Sequence, residues 1–162
     1  MIKYLVMDVD GTLTDGKIYM GASGELFKAI DVKDGYGIHS LLKKNNIIPV
    51  IITGRNSEIV SRRAMELNIT EIYQGVTDKL RVLEELLISE CNSFDEVAYI
   101  GDDINDMECM MTIKNSGGYV GCPNDAIAEV KQNVSYICSS KGGSGAVREF
   151  ISKIININNG VT

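Results

Sequence analysis

Three apolar runs in this chain stop on polar residues of the kind that carry chemistry. That pattern narrows the folds open to it. Residues 2–7 are almost wholly apolar and end at Asp8, with Asp10-Gly11-Thr12 close behind. Residues 47–52 close on Thr53-Gly54-Arg55, and residues 97–100 on Gly101-Asp102-Asp103. Short continuous apolar runs of this kind suit strands covered on both faces. Helical periods lie between them, carried by Ile38, Leu41 and Leu42, then Ile59, Val60, Ala64 and Leu67, then Leu80, Leu83, Leu86 and Leu87. Met107, Met110 and Met111 follow as core filler, and a closing helix carries Val147, Phe150, Ile151, Ile154 and Ile155. Strands alternating with helices predict an α/β fold, a doubly wound and mostly parallel sheet.

Shorter segments complete the expectation. Residues 72–73, 117–120 and 134–138 read as further strands, and Asn124-Asp125 as the cap of a helix through Ile127 and Val130. Two strand-like pieces, 17–20 and 25–30, flank Gly21-Ala22-Ser23-Gly24. They predict a β-hairpin inserted after the first strand, at the rim of the sheet near the carboxylates. There is no internal repeat and no linker, so a single domain over residues 1–162 is expected, with residues 156–162 as a mobile tail.

Composition excludes some functions. The formal charge of −6 argues against phosphate-backbone binding, so no nucleic-acid partner is expected. Cys91, Cys109, Cys122 and Cys138 follow no zinc or redox spacing and read as free thiols of a reducing compartment. No apolar stretch reaches the ~18 residues of a membrane span, and no basic segment precedes the first apolar run. The expected location is the cytoplasm, without a membrane partner.

In an open α/β sheet, ligands sit beyond the carboxyl ends of the strands, where the strand order reverses. Residues distant in sequence can meet there. Two carboxylates one residue apart at the end of a buried strand repel each other and lose hydration, and a bound cation is the usual remedy. Asp8 then reads as nucleophile and metal ligand, with Asp10 as the acid/base beside it. Asp8, Asp10 and Asp102 form an oxygen-only ligand set, which favours Mg²⁺ over zinc or copper. Thr53 and the Gly54 amide can donate to a phosphate, and Lys79 can place a charge on it. Taken singly, each has an ordinary alternative: an Asp-Gly turn, a helix cap, a solvated lysine. Together they form a kit for in-line phosphoryl transfer. No Gly-x-x-x-x-Gly-Lys stretch occurs, which excludes a P-loop nucleotide enzyme.

In order, Asp8-Val9-Asp10-Gly11-Thr12, Thr53-Gly54-Arg55, Lys79 and Gly101-Asp102-Asp103-Ile104-Asn105-Asp106 resemble the four motifs of the haloacid dehalogenase superfamily of phosphatases. Asp15-Gly16-Lys17-Ile18-Tyr19, Lys33-Asp34-Gly35-Tyr36-Gly37-Ile38, Tyr73-Gln74-Gly75 and Gly142-Gly143-Ser144-Gly145-Ala146-Val147-Arg148-Glu149 extend the likeness over nearly the whole chain. They resemble its capless phosphatases of 3-deoxy-octulosonate 8-phosphate and the related nonulosonate 9-phosphate phosphatases.

The resemblance implies a Rossmann-like core with no cap domain. Asp8 would form an aspartyl-phosphate. Asp10 would protonate the leaving oxygen and then activate water. Mg²⁺ would be held by the Asp8 carboxylate, the Asp10 main-chain carbonyl and Asp102, with Asp103 and Asp106 orienting the metal shell. Thr53, with Gly54, and Lys79 would hold the phosphoryl group. The family's homotetramers, built through the hairpin, imply a site closed by neighbouring subunits. A sugar-acid substrate also needs a partner for its carboxylate, and Arg55, Arg63 and Arg148 are the candidates. Octulosonate 8-phosphate is the expected substrate, with a nonulosonate 9-phosphate as the alternative. A non-catalytic oligomerisation module, such as the domain carried by CMP-sialate synthetases, is the reading from another class. A phosphomutase is disfavoured, because such enzymes usually use a cap.

Overall fold

The computed structural model describes residues 1–161. In chain order its elements are β1 (Tyr4–Met7), β2 (Tyr19–Gly21), β3 (Gly24–Phe27), α1 (Val32–Tyr36, running on through Gly37–Leu42), β4 (Ile48–Ile52) and α2 (Glu58–Glu66). Next come β5 (Glu71–Tyr73), α3 (Lys79–Ser89), β6 (Val97–Ile100), α4 (Ile104–Asn115), β7 (Tyr119–Cys122), α5 (Ala128–Asn133), β8 (Tyr136–Ile137) and α6 (Ala146–Asn158). Six strands form one parallel sheet in the order β5-β4-β1-β6-β7-β8. The order reverses at β1, so the crevice predicted for a doubly wound sheet opens above that strand.

Alternation along the strands divides the core. Leu5 and Met7 of β1 face one layer with Ile51 and Ile100, against Ile38, Ala64, Phe150 and Ile154. Tyr4 and Val6 face the other with Val50, Ile52 and Tyr99, against Leu83, Met110, Ile113 and Val130. Every residue of β1 is buried, and β4 and β6 pair with its two edges. The antiparallel pair β2–β3 follows β1 as the inserted hairpin, closed by a bridge between Thr14 and Ile30. Ile18, Met20, Leu26 and Phe27 of this hairpin are exposed. Among the described residues, no helix is long and apolar enough to cross a membrane.

Two expectations need correction. Asn124 and Asp125 do not cap α5, which starts three residues beyond Asp125 behind Ile127. They bind the 139–142 segment instead: Asn124 N–H donates to Ser140 O, and Asp125 Oδ1 accepts the Gly142 amide at 2.9 Å. Short polar side chains compete for any nearby backbone group, and here a distant loop is the partner. The mobile tail is the second case. The closing helix runs through Asn158 and ends in an ordered turn, with the Val161 amide bonded to Asn156 O and the Gly160 amide to Ile157 O. Gly160 has φ +73°, which this type of helix stop requires. Asn158 then clasps Ile2 by two bonds of 2.8 Å, to its amide and to its carbonyl. Thr162, the last residue of the expected tail, lies outside the described residues.

The clasp has a measurable worth. Asn158→Ala removes both bonds at a part-buried site, at a cost of about 1–2 kcal/mol. Thermal unfolding of the variant is expected about 3–6 °C lower. An unchanged melting temperature would show that the clasp does not hold the terminus.

Candidate active site

The carboxyl end of β1 passes into a tight turn. Asp8 continues the sheet pairing through its amide, which donates to Ile100 O. Gly11 then takes φ +93°, and a Cβ there would lie 2.1 Å from Asp102 Oδ2. Only glycine leaves room for the Asp102 carboxylate this close to the turn. Thr12 Oγ1 donates to Asp102 Oδ1 at 3.0 Å and ties the turn after β1 to the end of β6. Thr14 Oγ1 accepts the amides of Gly11 and Gly16. Thr53, at the end of β4, is buried, with its backbone fixed by Tyr73 O and the Val76 amide.

Lys79 opens α3, and its side chain is only 4% exposed. Its Nζ donates to Asp8 Oδ1 at 2.6 Å and to Asp106 Oδ1 at 2.7 Å. Tyr99 OH donates to the same Asp106 oxygen at 2.7 Å, while Oδ2 accepts the Asp102 and Asp103 amides. Asp106 is thus saturated by protein donors. It orients Lys79 and the start of α4, and its oxygens are not free for a metal.

Carboxylate oxygens of Asp8, Asp102 and Asp106 lie within 4.8 Å of one another. One ammonium, Lys79, pairs with this group of three. Burial, then the charges of Asp8 and Asp106, pushes Asp102 up to about 7. Burial and Asp106 likewise raise Asp8, against the pull of Lys79. Burial opposes the charge on Lys79, but Asp8 and Asp106 outweigh it and keep the ammonium above its usual range. The inner cluster therefore carries two more negative than positive groups, the deficit a divalent cation makes good. Asp8 and Asp102 are the side chains with an oxygen to give it.

The candidate residues do not all converge. Asp8, Asp10, Thr53, Gly54, Arg55, Asp102 and Asp103 line one crevice of roughly 280 Å³. Lys79 is buried behind them, bonded to Asp8 Oδ1. Arg63 and Arg148 are elsewhere. The Arg63 guanidinium lies over Gly35, in the seam between α2 and α1, and pairs with Glu66 at 2.9 Å. Arg148 stacks over the Tyr36 ring, 5.2 Å from its centroid. Asp103 lines the crevice and also caps α4, its Oδ1 accepting the Ile104 amide at 2.7 Å.

Two residues absent from the sequence reading reach the site from β3 and its end. Lys28 Nζ donates to Asp10 Oδ1 at 2.5 Å and pairs with Glu25 at 2.9 Å. Glu25 Oε2 in turn accepts Ser57 Oγ at 2.6 Å. The available signal was a pair of opposite charges three apart in an otherwise apolar strand, next to an acidic turn. His39, the lone histidine, is exposed. Cys91 is the exposed thiol among four, and the other three are buried.

Comparison with known proteins follows this geometry. The profile of the haloacid dehalogenase-like hydrolases matches residues 61–151. The chain is 42% identical over 154 residues to the 3-deoxy-D-manno-octulosonate 8-phosphate phosphatase of Yersinia pestis, covering 95% of this chain and 80% of that one. Its counterpart in Escherichia coli K12 is 41% identical over 148 residues, covering 91% and 76%. The crystal structure of the Yersinia pestis enzyme superposes with a TM-score of 0.87, over 96% of this chain and 81% of that one. That of the Moraxella catarrhalis enzyme, in complex with magnesium, phosphate and KDO, gives 0.88 at 39% identity, over 98% and 88%.

Acid pH tests the electrostatic reading. Groups with raised values stabilise the fold fully below their unfolded value near 4 and lose that contribution as pH rises through the folded one. Asp102, at about 7, and buried Asp34, pushed by burial to about 6, both act this way. In chelator, the melting temperature is expected to fall between pH 5.5 and 8. Added Mg²⁺ should raise it, and more at pH 8 than at pH 5.5. An increment independent of pH would contradict cation binding at this cluster.

Proposed function

The chain belongs to the haloacid dehalogenase-like hydrolases, and from that premise we propose that it is a phosphatase that hydrolyses 3-deoxy-D-manno-octulosonate 8-phosphate. The observation carrying this reading is the strand-end cluster of Asp8, Asp102 and Lys79, in a chain 42% identical to a phosphatase of that substrate.

The chemistry divides among the crevice residues. An oxygen of Asp8 attacks phosphorus as the ester P–O bond breaks, giving an aspartyl-phosphate and the sugar alcohol. Asp10 gives a proton to the leaving oxygen. It then takes one from the water that attacks the aspartyl-phosphate, releasing phosphate and restoring Asp8. Thr53 and the Gly54 amide hold phosphoryl oxygens, and Lys79 offsets their charge. The enzyme is metal-dependent, and we propose Mg²⁺, held by the Asp8 and Asp102 carboxylates with the Asp10 carbonyl. When bound, it supplies positive charge against the phosphoryl oxygens.

Of the three arginines, Arg55 alone lines the crevice, and we assign it the sugar carboxylate. Arg63 and Arg148 do not line this subunit's own crevice, and we assign them no contact there. We propose a homotetramer in the cytoplasm, joined through the exposed apolar side of the hairpin. Replacing Met20 and Phe27 with Glu should lower the mass found by sedimentation; tetramers that persist would refute that interface.

Two assays test the function. Asp8→Asn should cost on the order of 10⁴-fold in turnover while keeping the fold. A phosphate-release screen should rank octulosonate 8-phosphate above nonulosonate 9-phosphates and generic sugar phosphates. Preference for a nonulosonate would replace the substrate, and a fully active Asp8→Asn would remove the nucleophile.

A further inference from the structure

Asp10 stands on a turn, and its side chain keeps 23% of its exposure. Nothing in the inner cluster holds it: Lys79 contacts Asp8 and Asp106 only. A general acid free to rotate would meet the leaving oxygen in a fraction of its conformers. Lys28 answers this. Its side chain is 1% exposed, and its ammonium lies between Asp10 Oδ1 and Glu25 Oε1. A buried ammonium is costly unless paired, so the pairing is obligatory for the hairpin to lie where it does.

We propose that Lys28 is the positioning residue for Asp10, held by Glu25 and Ser57, and that it dictates which oxygen of Asp10 does the chemistry. This rests on the acid/base reading given above. The Lys28 N–H occupies Oδ1, so a proton carried by Asp10 sits on Oδ2. Arg55, which lines the crevice, has its Nε 3.8 Å from that oxygen. Oδ2 is therefore the oxygen presented to the substrate's ester oxygen.

Lys28 itself does not touch substrate. Its ammonium donates to Asp10 and forms an ion pair with Glu25, and it is not among the residues that line the crevice. The grip is anchored outside the hairpin, because Glu25 accepts from Ser57 at the start of α2. Once Asp10 has given up its proton, charge balances here, Asp10 and Glu25 against Lys28 and Arg55.

The test uses the dependence of rate on leaving group. An alkoxide leaving from octulosonate 8-phosphate needs a proton, whereas p-nitrophenolate does not. The ratio kcat/KM covers the steps through ester cleavage, so hydrolysis of the aspartyl-phosphate does not enter. In the full chain with Mg²⁺, Lys28→Met is expected to lower kcat/KM for the sugar phosphate ten- to a hundredfold, through kcat with KM unchanged. For p-nitrophenyl phosphate the loss should stay within about threefold. Lys28→Arg should restore most of the rate. Ser57→Ala, which frees Glu25 without touching the ammonium, should give the same signature more weakly and serves if Lys28→Met does not fold.

Asp10→Asn is the reference. If it shows the split and folded Lys28 and Ser57 variants lose both substrates equally, lose neither, or change KM alone, the positioning role is wrong. If Asp10→Asn itself shows no split, the acid assignment fails and takes this inference with it.

Discussion

A single ammonium between two carboxylates is what the rest of the molecule is arranged to support. Lys79 meets Asp8 and Asp106 in a space with almost no water, and both acids sit at strand or helix ends that the sheet order brings together. The arrangement is tolerable because Asp106 is saturated: Lys79, Tyr99 and two amides share its oxygens. Asp8 and Asp102 are left under-compensated, and that shortage is the site's affinity for a cation. A hydrophobic cluster of equal volume would make a more stable protein, but it would bind neither metal nor phosphate.

Charge separates the crevice into two groups with different needs. The inner one has an excess of carboxylate and calls for an external dication. The outer one, on the hairpin and the loop after β4, is neutral by itself. Asp8 and Asp10 therefore answer to different influences, although only Val9 stands between them in the chain.

Much of this was legible without coordinates. Continuous apolar runs ending on Asp8, Thr53 and Asp102 told where strands stop, and the alternation of strand and helix told that those ends would converge. Lys79 was suspected as a charge near phosphate, and its place between two acids is consistent with that. What stayed illegible also has physical reasons. Counting positive charges does not separate Arg55, which lines the crevice, from Arg63 over Gly35 and Arg148 over Tyr36. Asn159-Gly160 is a helix stop, and it was passed over because polar residues near a terminus look like fraying. The sequence does not say that Asp103 caps α4 as well as lining the crevice. Lys28 and Glu25 could not be placed at all, since a hairpin's sequence does not say which way it folds back.

β1 is enclosed on both faces and bonded along both edges, whereas the short hairpin pairs only with itself and meets the body of the protein at a few contacts. Amide exchange should accordingly be slowest next to Asp8 and much faster around Lys28. Asp8 thus adjoins the most enclosed strand, whereas Asp10 is met from the hairpin by one buried ammonium. Loosening the hairpin would release Asp10 from Lys28 and leave the strand beside Asp8 in place.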